Sequence, residues 1–366
     1  MRSDNPGFVP DSPFSKQLPE EWLRFFKTFP KLELHCHLLG TTGKETFEEL
    51  VAESGADVSQ EDINSFYTRG DKPIGVLRLF RCLESKVLSK PSFLTRITLK
   101  HIQRVASQGV KYIEFYWNWT GLKHFMSYDE ARQAINEGIR QGLQRYGVVA
   151  RSIPSIDRED TPEAAVELVE EMIRHPDQYT IGIGIDYRET NHEPENFWKA
   201  FKMAKDAGFK ITIHAGEFGE HWRNVETAMK LLGADRIDHG YTIIDSPELV
   251  EEAKAANMHF AVVPTNSYYL RTLSDEEWAI KHPVRKMVEL GLKVFPNSDD
   301  PTMHHISISE SWLLMHNWLD FTLPQLRKML ENSIEAAWVS DEQKAAWKKE
   351  WLEEFDRLAA ELPPVN

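Results

Sequence analysis

Four of the 14 histidines in this chain stand at the ends of short apolar segments, and the chemistry legible in the sequence begins there. His35 and His37 close the first such segment with one residue between them. On an extended chain, side chains two apart share a face, so both imidazoles can grip one ion. His214 closes another segment in Ile213-His214-Ala215-Gly216-Glu217, and His239 a third in Asp238-His239-Gly240. A further segment ends in Asn297-Ser298-Asp299-Asp300-Pro301, where two adjacent carboxylates must diverge. Three imidazoles and a carboxylate drawn from such groups form a borderline-hard donor set suited to Zn2+, with iron or another divalent metal as an alternative. Singly, these pieces say little. A His-x-His is more often a surface or core pair, and Asp-Asp before proline is commonly a turn or a helix cap. Their coincidence at the ends of four separate segments carries the reading.

Those segments belong to a longer rhythm. Eight stretches rich in Val, Ile, Phe and Tyr, at 32–38, 110–118, 148–157, 180–187, 210–217, 236–241, 259–265 and 293–299, are each followed by helical periodicity. From the second onward their starts advance by 38, 32, 30, 26, 23 and 34 residues, about one strand plus one helix. In 162–175, for instance, Ala165, Leu168, Val169 and Met172 repeat at helical spacing opposite Glu167, Glu170 and Glu171, behind a Thr161 cap and a proline at the first helical position. Eight such alternations imply an α/β fold of the (β/α)8 TIM-barrel type, which places its catalytic groups at the carboxyl ends of the strands. The first two starts, 32 and 110, are 78 residues apart, so the sequence predicts an inserted helical segment at about 40–108, with helices over 47–54, 61–68 and 77–108. It would sit on the catalytic face, as a lid or as a packing appendage. A charged helical extension at about 323–362 should wrap the exterior, and the whole of 1–366 reads as a single domain.

Composition bounds the partners. With 57 acidic against 43 basic residues the formal net charge is −14, and no basic run offsets it. That field repels nucleic-acid phosphates and anionic membrane surfaces. Cys36 and Cys82 are the two cysteines, too few and too far apart for a disulfide framework or a Cys-x-x-Cys metal pair. Apolar runs fall short of a membrane span and the first residues lack a basic-then-apolar leader pattern. The expectation is a cytoplasmic, soluble protein acting on a small molecule, with oligomeric state unspecified.

The motifs His35-Cys36-His37, Thr212-Ile213-His214-Ala215-Gly216-Glu217, Asp238-His239-Gly240-Tyr241 and Asn297-Ser298-Asp299-Asp300-Pro301, with Val263-Pro264-Thr265-Asn266-Ser267, run from about Pro30 to about Trp338. In order and spacing they resemble the adenosine and adenine deaminase family of the amidohydrolase superfamily. The resemblance implies one Zn2+ per chain, held by His35, His37, His214 and Asp299. It implies that Glu217 supplies a proton to N1 of a purine, that His239 orients and helps deprotonate the attacking water, and that Asp300 accepts a hydrogen bond at the N7 side. Gly216, Glu189 and Leu39 join Asp300 as expected substrate contacts. The implied reaction is deamination of a 6-aminopurine, adenosine to inosine and ammonia first. Adenine to hypoxanthine, another aminated heterocycle or an N6-substituted purine are the alternatives. The physical logic stands beside the resemblance. A metal lowers the pKa of bound water from about 15.7 towards 7. Addition to C6 costs ring resonance, so a proton must reach N1 as it occurs, from a carboxylic acid whose pKa is raised.

Two positions depart from the adenosine pattern. Leu39 replaces the aspartate of Leu-Asp-Gly that can meet a ribose 5′-hydroxyl, where the adenine branch usually has Glu. Arg188-Glu189-Thr190 replaces an Ala-Gly-Asp-Glu stretch, a Glu near 189 being similar to the adenine branch. Trp117 and Trp119 could stack on a base, though packing is the favoured reading. His304 and His305 could rim the pocket but read as solvated loop residues, and Arg188 and Arg271 as structural ion pairs rather than anion ligands.

Overall fold

The computed structural model describes residues 17–68 and 76–364, so positions 69–75 of the expected insertion lie outside the described residues. Eight parallel strands follow one another in sequence order: β1 Lys31–Glu33, β2 Val110–Trp117, β3 Val149–Asp157, β4 Gly182–Asp186, β5 Lys210–Ala215, β6 Arg236–His239, β7 His259–Val262 and β8 Lys293–Pro296. Nearly every strand residue is buried, as expected of parallel strands covered by helices. The last strand returns to the first through Asp299: its N–H donates to the His35 carbonyl (3.2 Å) and its carbonyl accepts from the His37 N–H (3.0 Å). The result is the (β/α)8 barrel that the alternation implied. Arg236, buried, donates from Nη1 to Glu114 Oε2 at 2.8 Å and from Nη2 to the Leu34 carbonyl at 3.1 Å, tying β6 to β1 and β2.

The strands stop two to three residues short of the expected ends at β5, β6, β7 and β8. The reason is local. His239 (φ 66°), Asp299 (φ 62°), Tyr187 (φ 67°) and Gly216 (φ 67°) take left-handed backbone just past or at the end of the ladder. The chain there leaves the sheet and turns side chains over the barrel mouth, a conformation that non-glycine residues adopt rarely.

The insertion is helical as expected but divides differently: Lys44–Ser54, Gln60–Phe66, Leu77–Cys82, a π-helical turn Leu83–Val87, then Pro91–Ala106. The expected single helix over 77–108 breaks because Pro91 lacks an N–H and starts a new helix at its first position. Helix Pro162–Arg174 opens on Thr161, whose side chain accepts from the Ala164 N–H, as the sequence suggested. The C-terminal extension forms Leu323–Ala336 and Asp341–Ala359. Phe355 packs edge-on against Phe25 and Phe29 of the N-terminal region, with ring centroids 5.1 and 5.2 Å away. Among the described residues, no helix is long and apolar enough to cross a membrane.

Candidate active site

The imidazoles just beyond β1 and on β5 meet the carboxylate beyond β8 at the centre of the mouth. His35 Nε2 and His37 Nε2 each lie 3.2 Å from Asp299 Oδ1, and His37 Nε2 is 3.2 Å from His214 Nε2. One donor atom from each of His35, His37, His214 and Asp299 lies within 4.8 Å of the others, and all four residues are buried. That set could hold one divalent cation. The outer faces of the rings support the fit. His35 Nδ1 lies 3.2 Å from Asp238 Oδ1, His214 Nδ1 3.4 Å from Asp238 Oδ2, and His37 Nδ1 3.3 Å from Asp186 Oδ2. A carboxylate stands behind each ring, and a hydrogen on Nδ1 would turn the Nε2 lone pair inward, the arrangement metal-binding histidines use. Asp238 is itself fixed by Tyr116 Oη (2.8 Å) and Thr212 Oγ1 (2.6 Å), and Asp186 by Asn118 Nδ2 (2.7 Å). Behind Asp299, Ser298 donates its N–H (3.1 Å) and its hydroxyl to Glu33 Oε1.

Beside this cluster stand an acid and a base. Glu217 Oε1 accepts from Asn266 Nδ2 at 3.0 Å, leaving Oε2 to face His239 Nε2 at 3.6 Å. Burial, then the charges of Asp299 and Glu189, push the Glu217 carboxyl well above the usual carboxylate range, which favours its protonated form. Asp300 is pushed up likewise, by burial and by Asp299 beside it. It packs against the turn after β1. A Cβ on Gly40 would lie 1.9 Å from Asp300 Oδ1, so only glycine lets the two loops approach this closely.

Two expected substrate contacts are otherwise engaged. Glu189 Oε1 accepts from the Gly216 N–H (2.8 Å) and Asn224 Nδ2 (2.8 Å), and Oε2 from the Glu217 N–H (2.9 Å). Glu189 therefore fixes the turn that carries Glu217, and the Gly216 N–H is spent on it; neither group is offered to a ligand. Leu39, 4% exposed, joins the apolar core, as its side chain dictates. Over the same mouth Phe80 lies against His37, ring centroids 5.9 Å apart. Its neighbour Arg81 donates to Asp157 (2.5 Å) and Glu159 (2.9 Å) and stacks over Tyr187, which bonds to Glu84.

The remaining aromatic and basic candidates fall into place. Trp117 stacks on Tyr128 (centroids 5.5 Å) and Trp119 meets the same ring edge-on, so both pack, as the favoured reading held. His304 is buried and His305 Nε2 lies 2.8 Å from the Tyr67 carbonyl, which corrects their assignment to solvent. Arg188 is exposed beside Glu159 at 3.7 Å, a surface ion pair. Sequence reasoning missed the supporting roles of Asp186, Asp238, Asn266 and Tyr241. The signal for the first two was present: Asp186 is the last residue of β4 and Asp238 the last but one of β6, at the level of the histidines.

Comparisons with known proteins place the chain in a family. The family model described as adenosine deaminase matches residues 30–353. An adenine deaminase of Marinomonas sp. is 27% identical over 88% of this chain and 95% of its own length. An adenosine deaminase of Clostridium perfringens is 27% identical over 87% and 97%. Among solved structures, an amidohydrolase from Burkholderia ambifaria with bound Zn is 47% identical, covering 97% of this chain and 98% of its own, at a TM-score of 0.95. The adenine deaminase of Arthrobacter aurescens, 24% identical over 90% and 100% with a TM-score of 0.81, shares the fold. The chain belongs to the adenosine deaminase family, the hydrolytic deaminases that act on C–N bonds.

Proposed function

We propose that the protein is a zinc-dependent deaminase of an uncharged 6-aminopurine, converting adenosine to inosine and ammonia. The observation that carries this reading is the facing pair of Glu217 Oε2 and His239 Nε2, 3.6 Å apart, beside the four-donor cluster. His35, His37, His214 and Asp299 would hold the cation, which when bound makes hydroxide available at neutral pH. His239 Nε2 takes a proton from the attacking water. Glu217, with Oε1 tied to Asn266, delivers the proton on Oε2 to N1 as C6 becomes tetrahedral; on collapse the C6 hydroxyl returns a proton to Glu217, the proton taken up by His239 passes to the amino nitrogen, and ammonia leaves. Asp300 reverses its expected role. N7 carries a lone pair and no hydrogen, so an Asp300 held protonated by burial and by Asp299 donates there rather than accepts.

Charge supports a substrate without phosphate. The guanidinium of Arg81 is committed to Asp157, Glu159 and Glu84. The carboxyls of Glu84, Glu217, Asp299 and Asp300 lie buried around the same mouth. Ionised or protonated, these carboxyls offer an added phosphate no cation to pair with. Adenine is the second reading, favoured by the apolar, buried Leu39, which gives a ribose 5′-hydroxyl no partner. The test is the zinc-loaded protein with adenosine, adenine, an N6-methylated adenosine and AMP, followed by the ultraviolet shift to the 6-oxopurine. Turnover of adenosine or adenine with none of AMP is expected; no turnover of any 6-aminopurine overturns the reading.

A further inference from the structure

Tyr241 takes no part in the chemistry above, yet its hydroxyl decides where a proton sits on His239. We propose that Tyr241 is a positioning residue that fixes His239 as the Nδ1–H tautomer, so that Nε2 is the bare nitrogen facing the mouth. The proposal rests on the reading of His239 as the base.

The argument is a count of hydrogens. The Val263 N–H donates to Tyr241 Oη at 2.8 Å, Tyr241 Oη lies 3.1 Å from the Val263 carbonyl, and His239 Nδ1 lies 3.2 Å from the same Oη. A phenol has one hydrogen and two lone pairs. A carbonyl can only accept, so the contact to Val263 O uses the hydrogen; the Val263 N–H uses one lone pair. What remains for His239 is an acceptor, and a neutral imidazole satisfies it only with the hydrogen on Nδ1. Three bonds then close around one oxygen. If the hydroxyl turned its hydrogen to a bare Nδ1, the Val263 carbonyl would keep only the Asn266 N–H (3.1 Å) and the oxygen would make two bonds. The difference of one buried hydrogen bond biases the tautomers roughly twofold to tenfold.

The surroundings leave the phenol little freedom. Val263 stands one residue past the end of β7, so its N–H has no strand partner other than Tyr241. The Tyr241 ring is fully buried and gripped edge-on by Tyr269 and His282, with centroids 5.1 and 5.8 Å away. His239 (φ 66°) and Gly240 (φ 74°) turn in left-handed backbone to bring the imidazole and the phenol together, and a Cβ on Gly240 would strike Phe260.

The experiment is nitrogen NMR of the zinc-loaded protein labelled with 15N-histidine, with His239 assigned by its loss in His239→Gln. The expected spectrum shows Nδ1 protonated and Nε2 bare in the parent. Tyr241→Phe should shift that balance about fivefold and lower kcat about twofold to fivefold, with KM within twofold. A parent spectrum with Nε2 protonated overturns the proposal, as does Tyr241→Phe with unchanged tautomer and kcat. Should Tyr241→Phe fail to fold, the parent spectrum alone decides. If the tautomer is as stated and His239→Gln retains full kcat, it is the base role that fails, and the tautomer assignment stands.

Discussion

Asp238 supports two of the three imidazoles in the donor cluster, and that geometry fixes the size of the effect of removing it. Its Oδ1 lies 3.2 Å from His35 Nδ1 and its Oδ2 3.4 Å from His214 Nδ1, whereas Asp186 supports His37 alone. Loss of one such outer partner costs about 10- to 100-fold in metal affinity. Asp238→Ala, acting on two rings, should weaken zinc by about 10²- to 10⁴-fold, or about 3 to 5.5 kcal/mol at 1.4 kcal/mol per tenfold. Asp186→Ala should cost only the single-ring 10- to 100-fold. Asp238→Asn falls between, since its one carbonyl oxygen serves one ring and its amide donates to the other, forcing that imidazole into the tautomer that cannot bind metal. The assay is equilibrium competition against a chromophoric zinc chelator. Melting of the metal-free protein is followed alongside, because Tyr116 and Thr212 lose their acceptor and a buried orphan costs about 1 to 3 kcal/mol. An Asp238→Ala dissociation constant within threefold of the parent, or equal losses for Asp238→Ala and Asp186→Ala, refutes the reasoning.

Further outcomes follow from other residues. Glu217→Gln keeps its contact to Asn266 but carries no acidic proton; zinc content should be unchanged while kcat falls about 10²- to 10⁴-fold, and an active variant contradicts the acid role. Leu39→Asp should raise the adenosine-to-adenine ratio of kcat/KM about threefold to tenfold, the worth of one hydrogen bond; an unchanged ratio sinks the idea that position 39 meets the ribose. Arg236→Met strands Glu114 in the barrel wall and should cost about 3 to 5 kcal/mol in urea unfolding. The double variant Arg236→Met/Glu114→Leu should recover most of it, and an equally unstable double variant refutes the stranded-charge account.

How far the sequence can be read depends on which physical signal each feature leaves. The barrel announced itself because buried parallel strands are continuous apolar runs and their helices repeat at 3.6 residues, signals that Ile183, Ile185, Ile211 and Ile213 carry plainly. His35, His37, His214 and Asp299 were legible because donors recur at the ends of those runs. What could not be read is the backbone turn that aims them: Asp299 and His239 are left-handed without being glycine, and the modest preference of Asp and His for that region does not single out these two among so many. Helix 77–108 was overextended because apolar spacing continues across Leu83–Val87 and only the proline at 91 betrays the break. Glu189 shows the limit most clearly. A carboxylate near a strand end reads the same whether it faces a ligand or caps two backbone amides 27 and 28 residues away.

The closure of the barrel at Asp299 has a consequence for the order in which the protein is made. His35 and the aspartate that completes its donor set are 264 residues apart, and the seam between β8 and β1 is sewn by the same residue that turns its carboxylate to the histidines. A chain emerging from the ribosome carries the first two imidazoles almost from the start but cannot assemble the donor set until four-fifths of its length exists. An ion held by His35, His37, His214 and Asp299 would therefore bridge the two ends of the ring, as a clasp as well as a reagent.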